Sequence, residues 1–103
     1  MVRTVFSGQE IVKVLVGFDF VPKTHRGSHV RLRYENSNTG EVRNVDVPLH
    51  DEVKIGTLRS IADQCGANDF HKWCQWIDDH LWVSYMAFTQ YPQALGDHAM
   101  AWV

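Results

Sequence analysis

The chain has 103 residues, of which 45% are hydrophobic and 21% charged, a composition typical of one globular domain rather than of a disordered chain. A formal charge of −2 and an isoelectric point near 6.3 exclude a uniformly basic protein that coats nucleic acid. No apolar run approaches the ~20 residues of a membrane span, and the N-terminus does not predict a secretory leader. Two cysteines are too few for a disulfide scaffold, so we expect a cytoplasmic protein.

The chain first predicts a short helix and then a strand. Ser7 and Glu10 have the spacing of a capping box, in which each side chain accepts a hydrogen bond from a backbone N–H at the start of a helix. The apolar residues that follow form one helical face: Ile11, Val12 and Leu15. Gly17 is suited to cap the end of this helix, and residues 18–21 alternate as a strand that Pro22 should limit.

Two more strands and a second helix follow. Residues 29–34 alternate between apolar and polar, residues 36–40 have the composition of a turn, and an extended run resumes over 42–47. Residues 57–65 place one apolar stripe on a helix: Leu58, Ile61, Ala62 and Cys65. The predicted order is αβββα, an α+β fold with a three-stranded antiparallel sheet.

Composition divides the chain near residue 67. Residues 1–66, the basic module, hold nine of the ten lysines and arginines and have a net charge of +1. Residues 67–103, the aromatic extension, have a net charge of −3 and hold all four tryptophans: Trp73, Trp76, Trp82 and Trp102. Apolar residues at steps of three and four predict one long helix that is capped by Asn68 or Asp69 and limited near Pro92. The last eleven residues are weakly patterned, and we expect them to be frayed.

Residues 20–34 contain no acidic residue and concentrate the basic ones: Lys23, His25, Arg26, His29, Arg31 and Arg33. On a strand, His29, Arg31 and Arg33 project to one side, opposite the apolar residues. This pattern predicts an anion-binding surface, although a charge pattern alone also fits an ordinary solvated sheet face. Gly27 and Ser28 favour the first interpretation, because glycine permits close approach of a phosphate and the serine hydroxyl can donate a hydrogen bond to it.

Four motifs together resemble HicA-type toxins of type II toxin–antitoxin systems, over residues 6–66. In order they are Ser7-Gly8-Gln9-Glu10 with Gly17-Phe18, Arg26-Gly27-Ser28-His29, Val47-Pro48-Leu49-His50, and Gly56-Thr57-Leu58-Arg59-Ser60-Ile61 with Gln64-Cys65-Gly66. The resemblance implies a dsRBD-like αβββα fold, which agrees with the order predicted above. It also implies an mRNA interferase that cleaves RNA without a ribosome, and a HicB-type antitoxin that masks the active face.

By position in the motifs, the resemblance makes His29 the catalytic histidine and gives Thr57 and Leu58 structural roles, as a capping and a core residue. We expect metal-independent cleavage without a cofactor, in which His29 is the general base or the general acid. The expected RNA-binding residues are Lys23, Arg26, Gly27, Ser28, Arg31 and Arg33. The sequence does not name a second proton-transfer group.

Other side chains are weaker candidates for a chemical role. His50 precedes an acidic pair and is interpreted as a hydrogen-bonding loop residue, whereas His25 is a weaker candidate for an auxiliary base. Cys65, His71, Cys74 and His80 could be drawn as a zinc site, but the chain lacks a Cys-x-x-Cys pair, so we expect the two cysteines to be small core residues. The tryptophans lie among aspartates, which favours packing over base stacking.

Two competing functions stay open at this point. The same fold could grip double-stranded RNA by its shape without cutting it, or the chain could be an inactive relative used in partner assembly. Family members commonly end soon after the second helix, so residues 67–103 are a departure from the pattern. Their helix could cover the sheet, pack on the far side of the module, or join two copies as a homodimer.

Overall fold

The fold has two layers, a sheet and a set of helices. The computed structural model describes the backbone of residues 2–87 and the side chains of residues 2–81. The described residues form, in chain order, α1 (Gly8–Gly17), β1 (Val21–Arg26), β2 (His29–Glu35), β3 (Val42–Pro48), α2 (Ile55–Gln64) and α3 (Phe70–Ala87). The sheet is antiparallel with the order β1-β2-β3. The predicted α+β class and αβββα order, followed by a C-terminal helix, are confirmed.

The first helix begins as its capping box predicts. The Ser7 hydroxyl accepts a hydrogen bond from the backbone N–H of Glu10, whose carboxylate in turn accepts one from the N–H of Ser7. Ile11 and Leu15 are buried, together with Val14. The helix includes Gly17 and is capped by Phe18, one residue later than predicted.

The first strand lies further along the chain than its alternation indicates. The sequence predicts a strand over 18–21, but β1 begins at Val21 and runs through Pro22. Phe18 and Phe20 are buried in the connection before it, so their alternation reflects burial at the end of α1. Proline is tolerated here because β1 is an edge strand and its register shifts between Pro22 and Thr24. The N–H that proline lacks therefore removes little of the hydrogen bonding between the strands.

The sheet has one buried face and one that faces outward. Alternate residues of β2 and β3 lie in the core: Val30, Leu32, Tyr34, Val45 and Val47. The alternating residues of β2, namely His29, Arg31 and Arg33, point to the other side, as predicted. We call that side of the sheet, with its paired residues on β1 and β3, the open face.

The second helix begins two residues earlier than predicted. Its N-cap is Lys54, which makes no side-chain capping hydrogen bond, and its first residue is Ile55. Thr57 is therefore not the cap, and that prediction is wrong; its side chain is exposed inside the first turn. Leu58 is fully buried, as expected for a core residue.

The third helix packs against α1 and α2 in the helical layer. Its start is capped by Asp69, whose carboxylate accepts a hydrogen bond from the backbone N–H of Lys72. Trp73 is fully buried, and the rings of Trp76 and Phe18 lie 4.8 Å apart between centroids. The described part of the aromatic extension therefore packs within its own chain and leaves the open face uncovered.

Some predictions for the aromatic extension fall outside the described residues. The structure does not describe the side chains of Trp82 and Trp102 or the weakly patterned residues 93–103. Among the helices that the structure describes, none has the length and apolar character needed to cross a membrane.

Both cysteines are buried and free, as predicted for core residues. Burial raises the pKa of Cys65 to about 12 and that of Cys74 to about 11, from a usual value of 9.0. We therefore expect iodoacetamide at pH 8 to alkylate both thiols about a hundredfold or more slowly in the folded protein than in urea, because the reactive thiolate is depleted.

The same shifts make stability depend on pH. Because the folded pKa values of Cys65 and Cys74 lie above the unfolded ones, their contribution is complete below pH 9.0 and is lost as the pH rises toward 11 and 12. Urea unfolding should give a lower free energy of unfolding at pH 10.5 than at pH 8.

The alkylation experiment tests the same burial. If iodoacetamide reacted as fast with the folded protein as with the unfolded chain, the result would contradict the burial of the thiols.

Candidate functional site

The catalytic candidate His29 lies at one end of the open face, immediately after a tight turn. Gly27 and Ser28 form the two-residue turn between β1 and β2, where Arg26 and His29 are paired across the hairpin. Gly27 has a φ of 55°, a left-handed conformation that glycine adopts without strain, and the space around its Cα is open. The turn, Arg26 and His29 are all exposed to solvent.

The strand register decides which basic residues share a face with His29. Residues paired across antiparallel strands point to the same side. Thr24 pairs with Arg31, and Arg26 pairs with His29, so these residues lie on the open face. His25 pairs with the buried Val30 and lies on the other side. The sheet therefore does not bring the auxiliary candidate His25 to His29.

The two arginines of β2 have carboxylate partners on the open face. Arg31 lies 3.5 Å from Asp46 of β3, and Arg33 donates a hydrogen bond of 2.6 Å to Glu35. The hydrogen bond and charge of Arg33, with a smaller effect from Lys23, lower the pKa of Glu35. Both pairs are exposed to solvent, which screens them, so they stabilise the fold little and a bound anion can replace the carboxylates.

Lys23 and Arg26 complete the predicted basic set. Lys23 lies at the register shift of β1, near enough to Glu35 to affect its ionisation. Arg26 forms no ion pair with any carboxylate in the part of the chain that the structure describes. The structure thus gathers the predicted residues around one sheet surface, with a less positive charge than the sequence indicates because Asp46 and Glu35 share it.

A second histidine lies beside His29. The ring centroids of His29 and His50 are 6.3 Å apart, with an angle of 73° between the ring planes. The sequence predicts that His50 is a hydrogen-bonding loop residue. In the structure its backbone carbonyl makes this hydrogen bond, accepting from the N–H of Gly8 at 2.9 Å. Twenty residues separate the two histidines, so only the register of β2 and β3 reveals that they are neighbours.

Both imidazoles line a groove of about 360 Å³ between the end of β3 and α2. The other residues that line it are Asp46, Pro48, Lys54, Thr57, Ser60, Ile61 and Gln64. The Gln64 side chain accepts a hydrogen bond of 2.8 Å from the backbone N–H of Asp46 and donates one to Ser60, which holds α2 against the edge of β3. The volume is within the range of small-ligand sites, about 300–1,000 Å³.

The start of α1 touches the segment that carries His50. A Cβ atom added to Gly8 would lie 1.9 Å from the carbonyl oxygen of Pro48 and 2.8 Å from the Cα of Leu49. Because both atoms belong to the backbone, they cannot move aside as a side-chain tip would. Only glycine fits here, and its N–H anchors the His50 carbonyl.

Gly8→Ala is expected to lower the free energy of unfolding by about 1–3 kcal/mol or more, because helix and strand end must separate. Gly56 in the first turn of α2 is the matched control, since an added Cβ there meets no atom of the described residues within 4 Å. Gly56→Ala should leave stability unchanged or raise it by up to about 1 kcal/mol. Urea unfolding of both variants measures the difference, and equal stabilities would contradict the contact between α1 and Pro48.

The four residues of the zinc alternative are not brought together. Cys65 and Cys74 are buried, His71 is exposed, and a ring nitrogen of His80 lies 2.7 Å from the carbonyl oxygen of Trp76. Within the described residues, no three histidine, cysteine or acidic side chains are grouped as metal ligands.

Comparison with known proteins gives one family. Residues 8–67 match the family model described as "HicA toxin of bacterial toxin-antitoxin", more than half of the chain. The match runs from α1 to just beyond α2, so it includes both His29 and His50. Neither the curated proteins nor the solved structures gave a match. The resemblance stated from the four motifs is thereby confirmed.

Proposed function

Because the chain belongs to the HicA toxin family of bacterial toxin–antitoxin systems, we propose that it is a toxin that cleaves mRNA as a ribosome-independent endoribonuclease. The observation that carries the proposal is the exposed His29 at the end of the open face, beside a glycine turn and a groove. An imidazole can exchange a proton near neutral pH, and basic residues along the same face can hold the RNA backbone.

The proposed reaction is attack of a ribose 2′-hydroxyl on the adjacent phosphorus. His29 acts as the general base that removes the 2′-hydroxyl proton or as the general acid that protonates the leaving 5′-oxygen. Ser28 in the turn positions the phosphate, and the open conformation of Gly27 allows the RNA backbone to approach closely. Neither a metal ion nor a cofactor is required by this chemistry.

The basic residues bind the RNA backbone and neutralise the charge that develops on the phosphate. Arg26 is the best placed of them, since it is paired with His29 across the hairpin and has no carboxylate partner among residues 2–81. Lys23, Arg31 and Arg33 extend the surface along the sheet. Arg31 and Arg33 exchange their exposed carboxylate partners for phosphates when RNA binds, at a small energetic cost.

A toxin of this family has an antitoxin partner, and we propose that a HicB-type protein inhibits the chain by covering the open face. The described part of α3 packs against α1 and α2, which leaves this face available to a partner. An acidic or groove-filling surface would complement Arg26 and Lys23 and would exclude RNA from His29.

The test is incubation of the purified chain with a structured mRNA in EDTA, without ribosomes. The proposal predicts internal cleavage that stops when the cognate antitoxin is added. Binding of the RNA without cleavage would instead support the alternative of a double-stranded-RNA-binding module, and neither binding nor cleavage would support an inactive relative. Repeating the assay with Arg26→Ala, which should weaken RNA binding, links the activity to the open face.

A further inference from the structure

We propose that His50 is the second proton-transfer group of the ribonuclease site and works as a pair with His29. This inference rests on the proposed function and extends it. Cleavage by a neighbouring 2′-hydroxyl needs a base for the attacking oxygen and an acid for the leaving oxygen. One imidazole cannot fill both roles in the same step, so a second group has to lie within reach of the same phosphate.

The spacing of the two rings suits a substrate placed between them. Each catalytic nitrogen must come within about 3 Å of the oxygen that it serves. The attacking and leaving oxygens lie roughly in line on opposite sides of the phosphorus. A base and an acid therefore have to stand apart, with the phosphate between them. The ring centroids of His29 and His50 lie 6.3 Å apart, and both side chains are exposed and line one groove.

The backbone fixes this spacing. His29 is paired with Pro48 in the sheet, and the N–H of Leu49 donates a hydrogen bond of 2.5 Å to the carbonyl of Ser28. On the other side, the N–H of Gly8 donates to the His50 carbonyl. His50 therefore directly follows a strand end that is held by hydrogen bonds, although it lies in a loop. No hydrogen bond to a side chain or backbone group of residues 2–81 occupies its imidazole.

The other histidines do not share this position. His25 lies on the other side of the sheet, His71 is exposed on α3, and His80 packs against the ring of Phe18. His98 is outside the described residues. Among residues 2–81, His50 is the histidine that lies beside His29 in the groove.

The step balances without an added reactant. The base takes the proton of the 2′-hydroxyl while the 2′-oxygen forms its bond to phosphorus. The bond from phosphorus to the 5′-oxygen breaks, and the acid gives its proton to that oxygen. The products are a 2′,3′-cyclic phosphate and a 5′-hydroxyl end, the base is left protonated and the acid deprotonated, and no atom is oxidised or reduced.

The experiment uses a leaving group that needs no acid. An oligoribonucleotide that spans a cleavage site mapped on mRNA is synthesised with oxygen or with sulfur at the 5′-bridging position. A thiolate leaves without a proton because thiols are far more acidic than alcohols. Wild type, His29→Ala and His50→Ala are compared on both substrates, and His71→Ala serves as the control for loss of an exposed histidine elsewhere.

On the oxygen substrate, His50→Ala should lower the rate about 10²-fold or more, and His71→Ala should leave it unchanged. The sulfur substrate should restore most of the rate to one of the two site variants, the one that lacks the acid, and not to the other. His50→Asn provides a second variant if the urea midpoint of His50→Ala is lowered.

The results that would contradict the pair of histidines can be told apart from those that would contradict the proposed function. A His50 variant that cleaves the oxygen substrate as fast as wild type would overturn the pair while leaving the proposed function in place. Equal rescue of both variants by sulfur, or rescue of neither, would overturn the division into base and acid. Absence of cleavage by the wild type would overturn the proposed function and the pair with it.

Discussion

His29→Ala is expected to lower the rate of RNA cleavage about 10²–10⁴-fold, the usual contribution of a positioned proton-transfer group. The fold should be unaffected, since the His29 side chain is exposed to solvent at the start of β2. RNA affinity should fall by less than about tenfold, or ~1.4 kcal/mol, because Arg26, Lys23 and the arginines of β2 still contact the backbone. Single-turnover cleavage and fluorescence anisotropy with the same RNA measure the two quantities.

His71→Ala is the matched control, because it removes an exposed histidine from α3, away from the open face. It should cleave at the wild-type rate. A His29 variant that cleaves as fast as this control would remove His29 from the mechanism. A variant that loses RNA binding and cleavage to the same extent would make His29 a binding residue rather than a catalytic one.

Trp73→Ala is expected to lower the free energy of unfolding by about 3–5 kcal/mol, a large share of the ~5–15 kcal/mol typical of a domain. Trp73 is the largest of the fully buried side chains in the described residues, and it stacks near Phe70 at 6.4 Å. Its removal leaves a cavity where the aromatic extension meets the module. The extension is thereby part of the core, and its loss should destabilise the site that α1 helps to position.

Gln75→Ala on the same helix is the control, since that side chain is exposed and donates a hydrogen bond of 2.8 Å to Asp79. It should change stability by only a few tenths of a kcal/mol. Trp73→Phe should cost less than alanine, because it keeps a ring and removes an indole N–H that has no well-aligned acceptor among residues 2–81. If Trp73→Ala unfolded at the same urea concentration as wild type, the result would contradict the packing of α3 on the basic module.

The elements that could be predicted are those encoded by residues close in sequence. The capping box of Ser7 and Glu10 acts within one helical turn, and the alternation along β2 follows from the two faces of a strand. Both were confirmed, and the alternation also gave the correct side for His29. The His29 assignment itself came from the family motif and stays a prediction.

The elements that could not be predicted depend on contacts between distant residues. Pro22 indicated the end of a strand, but an edge position and a register shift accommodate it inside β1. The carboxylate partners of the two arginines could not be predicted either. The pair of Arg31 with Asp46 depends on the register of the strands, and the pair of Arg33 with Glu35 depends on the rotamers of the two side chains. His50 lies beside His29 only because the sheet register brings the end of β3 next to the hairpin turn, which the sequence does not show.

The packing of the aromatic extension could not be predicted from the sequence either. An amphipathic helix shows that one face must be covered, but the pattern does not say by what. Three arrangements of this helix therefore fit the sequence. The contacts of Trp76 with Phe18, and the ion pair of 3.4 Å between Arg3 and Asp78, join the described part of α3 to the α1 side of its own chain. A homodimer through residues 67–103 stays a prediction.

We propose that the open face is a metal-independent ribonuclease site built around His29. The most direct measurement is end-group analysis of RNA incubated in EDTA with wild type and with His29→Ala. We expect 2′,3′-cyclic phosphate and 5′-hydroxyl ends with wild type and intact RNA with the variant. Cleavage that EDTA abolishes, ends that carry a 5′-phosphate, or equal cleavage by both proteins would contradict it.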